Sequence, residues 1–201
     1  MKRFWLALTL SLCALSSGAT GLADAVRAQL AQPAVLRGAF EQSKQVAGFS
    51  KPLLSSGDFV VARARGVLWN TRTPFASQLK LTRSQIVATQ DGQIAFQLNA
   101  SKEPAVRTIN SLMFSLLSGE IGELARQFTI TGTTNPKGWK LVLTPRDSGL
   151  GKVMSQITLN GDQYVRHIEI IEASGDRTRI RFLPQTTAPA VLSPQESSQF
   201  D

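Results

Sequence analysis

Apolar and polar residues alternate with a period of two through most of this chain, and this alternation limits the fold more than any other feature. Leu36, Gly38 and Phe40 define one side of a first strand, and the Asp91-Gly92 dipeptide is a hairpin signal. A strand that is buried on one face of an antiparallel sheet has this alternation. The sequence therefore predicts a mainly β protein with about ten antiparallel strands.

Helical spacing replaces the alternation in two places. Asp24 is expected to cap a short helix that Pro33 ends. A second stretch, between Pro104 and Gln127, has an unusually wide apolar face with a stop at Gly119. Its apolar positions are Ile109, Leu112, Met113, Leu116 and Leu117, with a further helical turn indicated by Ile121, Leu124 and Phe128. This stretch is interpreted as a lid over the sheet, with packing on an ordinary core as the alternative.

The first residues are expected to direct export. Residues 1–23 begin with two basic residues, continue with the apolar run 4–15 and end in small residues. This pattern is typical of a secretory signal peptide, and the apolar run is too short to span a bilayer. Cleavage is expected after Ala19, Ala23 or Ala25.

Composition divides the rest of the chain into one domain and a tail. Residues 185–201 are rich in Pro, Ser, Gln and Thr with few apolar positions, so they are predicted to be a flexible tail. Residues 24–184 remain as a single domain. The chain has 22 Lys and Arg against 14 Asp and Glu, and this balance favours an anionic partner. For an exported protein that partner is lipid rather than nucleic acid.

The inventory of reactive side chains argues against an enzyme. The chain has one His and one Cys, so zinc ligation by these residue types is excluded and a nucleophile–base mechanism would depend on His167 alone. His167 lies in a predicted strand, which favours a structural role. Glu120 and Glu123 are close in sequence but lie beside apolar residues rather than across a polar cleft. No cofactor or metal is expected.

Several segments taken together resemble a known family. The run Gly57 to Arg63 (GDFVVAR), then Val67-Leu68-Trp69 and then Pro74, is similar to the signature of the periplasmic outer-membrane lipoprotein carriers of the LolA type. Other pieces follow the family's order: LRGAFEQ at 36–42, Asp91-Gly92, and Leu143-Thr144-Pro145 followed by Arg146 to Gly149. The resemblance extends from about Asp24 to Phe182.

The resemblance implies an incomplete antiparallel β-barrel of about eleven strands, covered by a lid of short helices, with an apolar cavity for acyl chains between them. It assigns Arg63 as a latch that hydrogen-bonds the lid, and Trp69 as an aromatic on the cavity side. Arg63, Val67 and Trp69 share one side if their strand runs through without a bulge. The residues assigned to the cavity are Leu36, Phe40, Val67, Trp69, Ile94, Phe96 and Leu98.

The resulting hypothesis is a monomeric, non-enzymatic periplasmic carrier that binds the acyl chains of lipoproteins and shuttles them from the inner to the outer membrane. The resemblance further implies an inner-membrane exporter and an outer-membrane acceptor. Ala64 stands where these carriers usually have proline, and the lid is long. These departures leave open a carrier of another acyl lipid or a polyene, or a lipid-binding envelope sensor. A lipid hydrolase is disfavoured.

Overall fold

Eleven strands form one antiparallel sheet in the computed structural model, which describes residues 19–99, 101–102 and 121–201. The strands are β1 (Val35–Gln45), β2 (Leu53–Ala62), β3 (Gly66–Thr73), β4 (Ser77–Leu81), β5 (Gln85–Gln90), β6 (Gln93–Asn99), β7 (Phe128–Asn135), β8 (Gly138–Pro145), β9 (Met154–Gly161), β10 (Val165–Glu172) and β11 (Arg177–Phe182). The described helices are α1 (Ala19–Gln29), α2 (Ile121–Gln127), α3 (Ser148–Gly151) and α4 (Pro194–Ser198).

The sheet is open rather than closed into a barrel. Its strand order is β6-β5-β4-β3-β2-β1-β11-β10-β9-β8-β7, so β6 and β7 are the two edges. The first and last strands pair at the centre, where Phe40 lies opposite Phe182. This architecture confirms the predicted fold class of an incomplete antiparallel barrel with short helices.

The two faces of the sheet carry different side chains. The face that we call inner holds two apolar clusters: one joins α1 and α2 to β7–β10, and the other lies on β1–β5. Phe128, Leu141 and Leu159 in the first cluster are completely buried. Each such side chain stabilises the fold by about 1.5–3 kcal/mol. The opposite face, called outer, is mostly polar.

The first helix begins earlier than the sequence predicts. It starts at Ala19, so Asp24 lies inside the helix and does not cap it. Ala23, Val26 and Leu30 form a buried stripe that packs on the first inner-face cluster. Burial of that stripe outweighs the preference of Asp24 for a capping position. The short helix predicted from Leu124 and its neighbours is confirmed as α2.

The expected lid residues Ile109, Leu112, Met113, Leu116 and Leu117 lie outside the described residues.

Residues 185–201, here called the C-terminal segment, pack against the outer face instead of forming the flexible tail that their composition predicts. Phe200 is 7% exposed and joins a small apolar cluster on the outer face. The partners of Phe200 in that cluster are Val35, Val60, Ala62 and Leu68, with Leu192 beside them. Burial of this one aromatic side chain thus holds a segment whose overall composition is polar against the sheet.

Two arginines fix the C-terminal segment to the sheet. The Arg37 guanidinium donates from Nε and Nη2 to both carboxylate oxygens of Glu196, at 2.6 and 2.7 Å. It also donates to the carbonyl oxygens of Pro189 and Val191. Arg65 donates to Ser197, contacts Asp201 and lies over the Phe200 ring, 5.4 Å from its centroid. Such forked, charged hydrogen bonds hold a segment in one geometry.

The Arg37–Glu196 pair predicts a pH-dependent stability. Its hydrogen bonds lower the pKa of Glu196 from 4.5 to about 2. Because the folded pKa is lowered, the stabilisation is present above pH 4.5 and is lost as the pH falls towards 2. We expect Glu196→Gln to reduce the free energy of unfolding by about 2 kcal/mol at neutral pH, with the difference from wild type vanishing in acid.

Urea unfolding of both proteins across the pH range measures this difference. The matched control is Glu41→Gln, which removes the exposed ion pair with Arg181. We expect that control to cost less than about 1 kcal/mol. A pH-independent difference between wild type and Glu196→Gln would contradict the prediction.

Candidate functional site

An apolar pocket lies on the inner face, between the sheet and the linker that follows α1. Its volume is about 60 Å³. Leu36, Val67 and Trp69 line it from the sheet, and Leu30 and Pro33 line it from the linker. The pocket therefore joins the second inner-face cluster to the helical cover.

Aromatic rings fill most of the space around this pocket. Phe40 and Trp69 are stacked with their centroids 3.8 Å apart, and Phe182 meets Trp69 edge-on at 6.0 Å. Phe59 meets Phe182 edge-on at 5.2 Å. The remaining volume is well below the roughly 150 Å³ that admits benzene to an apolar cavity. This pocket is thus smaller than the cavity for acyl chains that the family resemblance implies.

Two glycines allow the rings to lie flat on the sheet. A Cβ on Gly38 would stand 2.8 Å from the ring of Phe59, and one on Gly57 would stand 3.0 Å from the ring of Phe40. The Gly57 Cβ would also meet the carbonyl oxygen of Asn70 at 1.8 Å. Real Cβ contacts do not come this close, so both positions require glycine for packing.

The structure brings together most of the residues assigned to the cavity and separates two of them. Leu36, Val67 and Trp69 line the pocket, Phe40 is buried in the same cluster, and Leu98 packs against that cluster. The separated residues are Ile94 and Phe96, which are 63% and 47% exposed on the edge strand β6 and do not line the pocket.

Ten of the thirteen described lining residues were not assigned to the cavity from the sequence, and these include four apolar or aromatic residues in or beside the strands. Phe59 and Val61 lie on β2, Tyr164 precedes β10, and Phe182 ends β11. The alternation of apolar and polar residues indicates that these side chains lie on a buried face. Which of them contact one another depends on strand register. The pairing of Gly38 with Phe59, and of Phe40 with Phe182, brings them to one place.

Arg63 lies in a turn at the rim of the pocket. The strand β2 ends at Ala62 and β3 begins at Gly66, so the uninterrupted strand that would align Arg63 with Val67 is not formed. The Arg63 backbone N–H donates to Ala34, and its Nη2 donates to Gln32 Oε1 at 3.1 Å. Its Nε is buried and has no hydrogen-bond partner among the described residues.

The histidine considered as a catalytic residue does not line this pocket. His167 is exposed on the outer face, opposite Asn160 on β9 and Arg181 on β11. The arginines on β11 pair with acidic side chains, as in the contact of 2.8 Å between Arg179 and Glu169. Within the described ranges, no group of three His, Cys, Asp or Glu residues is placed to hold a metal ion.

An open antiparallel sheet with an apolar inner face under helices defines the class of incomplete-barrel proteins. The sequence agrees with a specific family of that class: residues 16–199 match the family described as "Outer membrane lipoprotein carrier protein LolA-like". The chain belongs to this LolA-like family. Among curated proteins, no sequence matches significantly.

Solved structures with a similar fold share little sequence with this chain. A LolA superfamily protein from Nitrosomonas europaea is 8% identical, with 85% of this chain and 94% of that chain covered and a TM-score of 0.44. A putative outer membrane lipoprotein-sorting protein domain from Vibrio parahaemolyticus is 9% identical, with coverage of 92% and 97% and a TM-score of 0.48. A MucA/MucB complex from Pseudomonas aeruginosa gives 17% identity, coverage of 88% and 58%, and a TM-score of 0.38.

Family membership supports a carrier-type role in binding lipoprotein or lipid. Members of the family are carriers or binding proteins rather than enzymes. Of the helices that the structure describes, none is both long and apolar enough to cross a bilayer.

Proposed function

We propose that this protein is a periplasmic carrier that holds the acyl chains of lipoproteins on its inner face and shuttles them from the inner to the outer membrane. The observation that carries the proposal is the apolar pocket between the sheet and the α1 linker, in a chain of the LolA-like family. Residues 1–23 serve in this proposal as the export signal. An inner-membrane exporter loads the carrier, and an outer-membrane acceptor unloads it.

Physical chemistry makes an enclosed site necessary for this task. Each methylene exposed to water costs roughly 0.8 kcal/mol, so an acyl chain of about fifteen carbons costs on the order of 12 kcal/mol to expose. A pocket of about 60 Å³ does not hold such a chain. Loading therefore requires the aromatic rings to move, and Trp69 is only partly buried whereas Phe40 and Phe59 are 1% and 3% exposed. We assign Trp69 as the ring that swings aside.

Arg63 is proposed as the latch that opposes loading. Its buried Nε lacks a partner among the described residues, and its side chain stands beside the linker that lines the pocket. A guanidinium with an unused donor can bind a backbone carbonyl of a covering helix. Opening the cover then breaks charged hydrogen bonds, which offsets part of the energy of acyl burial and keeps release feasible.

Replacing Arg63 with leucine tests the latch. We expect acyl cargo to dissociate about tenfold more slowly, because a lost charged hydrogen bond of about 1.5 kcal/mol no longer favours the empty state. Stopped-flow transfer of a fluorescent acyl peptide to acceptor vesicles measures the rate. The matched control is Arg65→Leu, which removes the same charge from the same turn. The Arg65 side chain contacts the C-terminal segment, not the linker beside the pocket. An unchanged release rate in Arg63→Leu would contradict the latch.

Native mass spectrometry of the protein from periplasm tests the carrier itself. We expect a co-purifying acylated molecule, and its mass distinguishes a lipoprotein from another acyl lipid or a polyene. The second cargo class is retained because Ala64 replaces the usual proline and the stretch between Pro104 and Gln127 is long and apolar. A lipid-loaded protein held in a stable complex with a signalling partner would favour an envelope sensor, and an empty protein after gentle extraction would count against any carrier.

A further inference from the structure

Large exposed apolar side chains gather at one end of the sheet. The connections β1–β2, β3–β4 and β8–β9 all lie at this end, because the antiparallel strands alternate in direction across the continuous sheet. The side chains there, with their exposed fractions, are Phe49 (69%), Leu53 (64%), Leu54 (66%), Phe75 (73%) and Val153 (51%). We call these five residues the apolar end.

The opposite end of the sheet differs in this respect. It holds the connections at 63–65, 82–84, 136–137 and 162–164, which are all described. None of the large exposed apolar side chains of the described residues falls in these connections. The asymmetry shows that the apolar end is a local feature and not the ordinary scatter of apolar side chains over a protein surface.

The tips of neighbouring connections stand close together. Ser56 on β2 lies opposite Thr73 on β3, and their hydroxyl oxygens are 2.7 Å apart. Leu54 and Phe75 each lie two residues from this pair, Leu54 on β2 opposite Ser43 of β1 and Phe75 in the β3–β4 connection. Together the five side chains expose on the order of 500 Å² of apolar surface at this end of the sheet.

Cations accompany these side chains within the same connections. Lys51 stands between Phe49 and Leu53, and Lys152 precedes Val153. Arg72 has a 74% exposed side chain and pairs with Asp58. Segments 46–54, 72–77 and 150–155 contain no Asp or Glu.

Acidic residues at this end of the sheet include Asp147 in the β8–β9 connection, which accepts hydrogen bonds from the Gly149 and Leu150 backbone N–H groups, and Glu172 on β10, which pairs with Lys44. Asp91 occupies the β5–β6 turn, and Asp176 occupies the β10–β11 turn. Asp176 is already engaged by the Ala47 backbone N–H at 3.0 Å and by Lys44 at 3.5 Å.

We propose that the apolar end docks on the surface of an anionic lipid bilayer. Phe49 and Phe75 enter the boundary between head groups and acyl chains, and Lys51 and Lys152 contact lipid phosphates. Apolar side chains flanked by cations suit the surface of an anionic bilayer, because the acyl chains there are apolar and the head groups that cover them carry negative charge. This docking goes beyond the carrier function, because the apolar end does not line the pocket.

Co-sedimentation with sucrose-loaded vesicles tests the docking. The mature protein is mixed with vesicles of phosphatidylcholine, alone or with phosphatidylglycerol. We expect binding to the anionic vesicles and at least an about tenfold loss of affinity in the double variant Phe49→Ser/Phe75→Ser. The matched control is Val191→Ser, since Val191 is 71% exposed but lies on the C-terminal segment. Lys51→Ser/Lys152→Ser should weaken binding to the anionic vesicles only.

Three results would overturn the proposal. The first is wild-type protein that remains in the supernatant with every vesicle, and the second is a Phe49/Phe75 variant that sediments like wild type. The third is a concentration-dependent dimer in sedimentation velocity that the same variant abolishes, which would assign the apolar end to a second copy. Unchanged thermal melting shows that the variants fold.

Fatty-acid binding without vesicles separates the two proposals. The Phe49/Phe75 variant should bind a fluorescent fatty acid as wild type does. If wild type binds vesicles but does not bind the fatty acid, the carrier function is contradicted and the membrane docking is not.

Discussion

Trp69→Glu is expected to lower the affinity for a fluorescent fatty acid by at least about tenfold. The indole lines the pocket and stacks on Phe40 at 3.8 Å, so a carboxylate there would lie where the acyl chain has to lie. A charged group in an apolar site loses its hydration without compensation. Trp69→Ala should have the opposite effect: removal of the ring enlarges the pocket, and affinity should be retained or rise. Titration of the probe, followed by its fluorescence, measures both.

The control for this pair places the same charge on the edge strand β6, outside the pocket. Ile94→Glu adds a carboxylate at a side chain that is 63% exposed and outside the pocket, so affinity should not change. An equal loss in Ile94→Glu would extend the acyl site to β6, as the sequence alone predicts. Wild-type affinity in a folded Trp69→Glu protein would contradict the placement of the acyl chain in this pocket. Because Trp69 is partly exposed, we expect both variants at this position to fold. Thermal melting checks this.

Gly57→Ala is expected to cost about 3 kcal/mol of folding free energy, a large share of the stability of a typical domain. The added Cβ would lie 1.8 Å from the Asn70 carbonyl oxygen on β3 and 3.0 Å from the Phe40 ring. Neither the paired backbone nor the buried ring can move without breaking the sheet or the aromatic cluster. Urea unfolding measures the loss as a lower midpoint.

Gly151→Ala serves as the matched control for the Gly57 variant. A Cβ on Gly151 meets nothing within 4 Å, so we expect a change within about 0.5 kcal/mol. Equal stability of the Gly57 and Gly151 variants would show that the close approach of β2 and β3 is not required. Because Gly57 lies in the segment that resembles the carrier signature, a large loss of stability in the Gly57 variant alone would show why that segment needs a glycine.

The pocket and the apolar end lie towards opposite ends of the sheet. Gln163 and Tyr164 line the pocket from the β9–β10 connection, whereas Phe75 lies in the β3–β4 connection at the other end. Docking through the apolar end therefore leaves the pocket away from the lipid surface, so the vesicle and fatty-acid experiments examine two separate properties.

The elements of this protein that depend on local chemistry can be predicted from its residues alone. Period-two alternation predicted the antiparallel strands, because side chains of a strand point to opposite faces. Asp91-Gly92 predicted a hairpin turn, and the structure has positive φ angles of 51° and 75° at these two residues. The order of motifs predicted the LolA-like family that the comparison shows.

Only the tertiary structure decided which of those side chains meet. Ile94 and Phe96 alternate as regularly as Leu36 and Phe40, but the edge position of β6 leaves them exposed whereas central strands bury the other two. Polar composition predicted a free C-terminal segment, yet Phe200 packs on the outer face. Periodicity records which face of a strand is apolar, whereas strand order and register decide what covers that face.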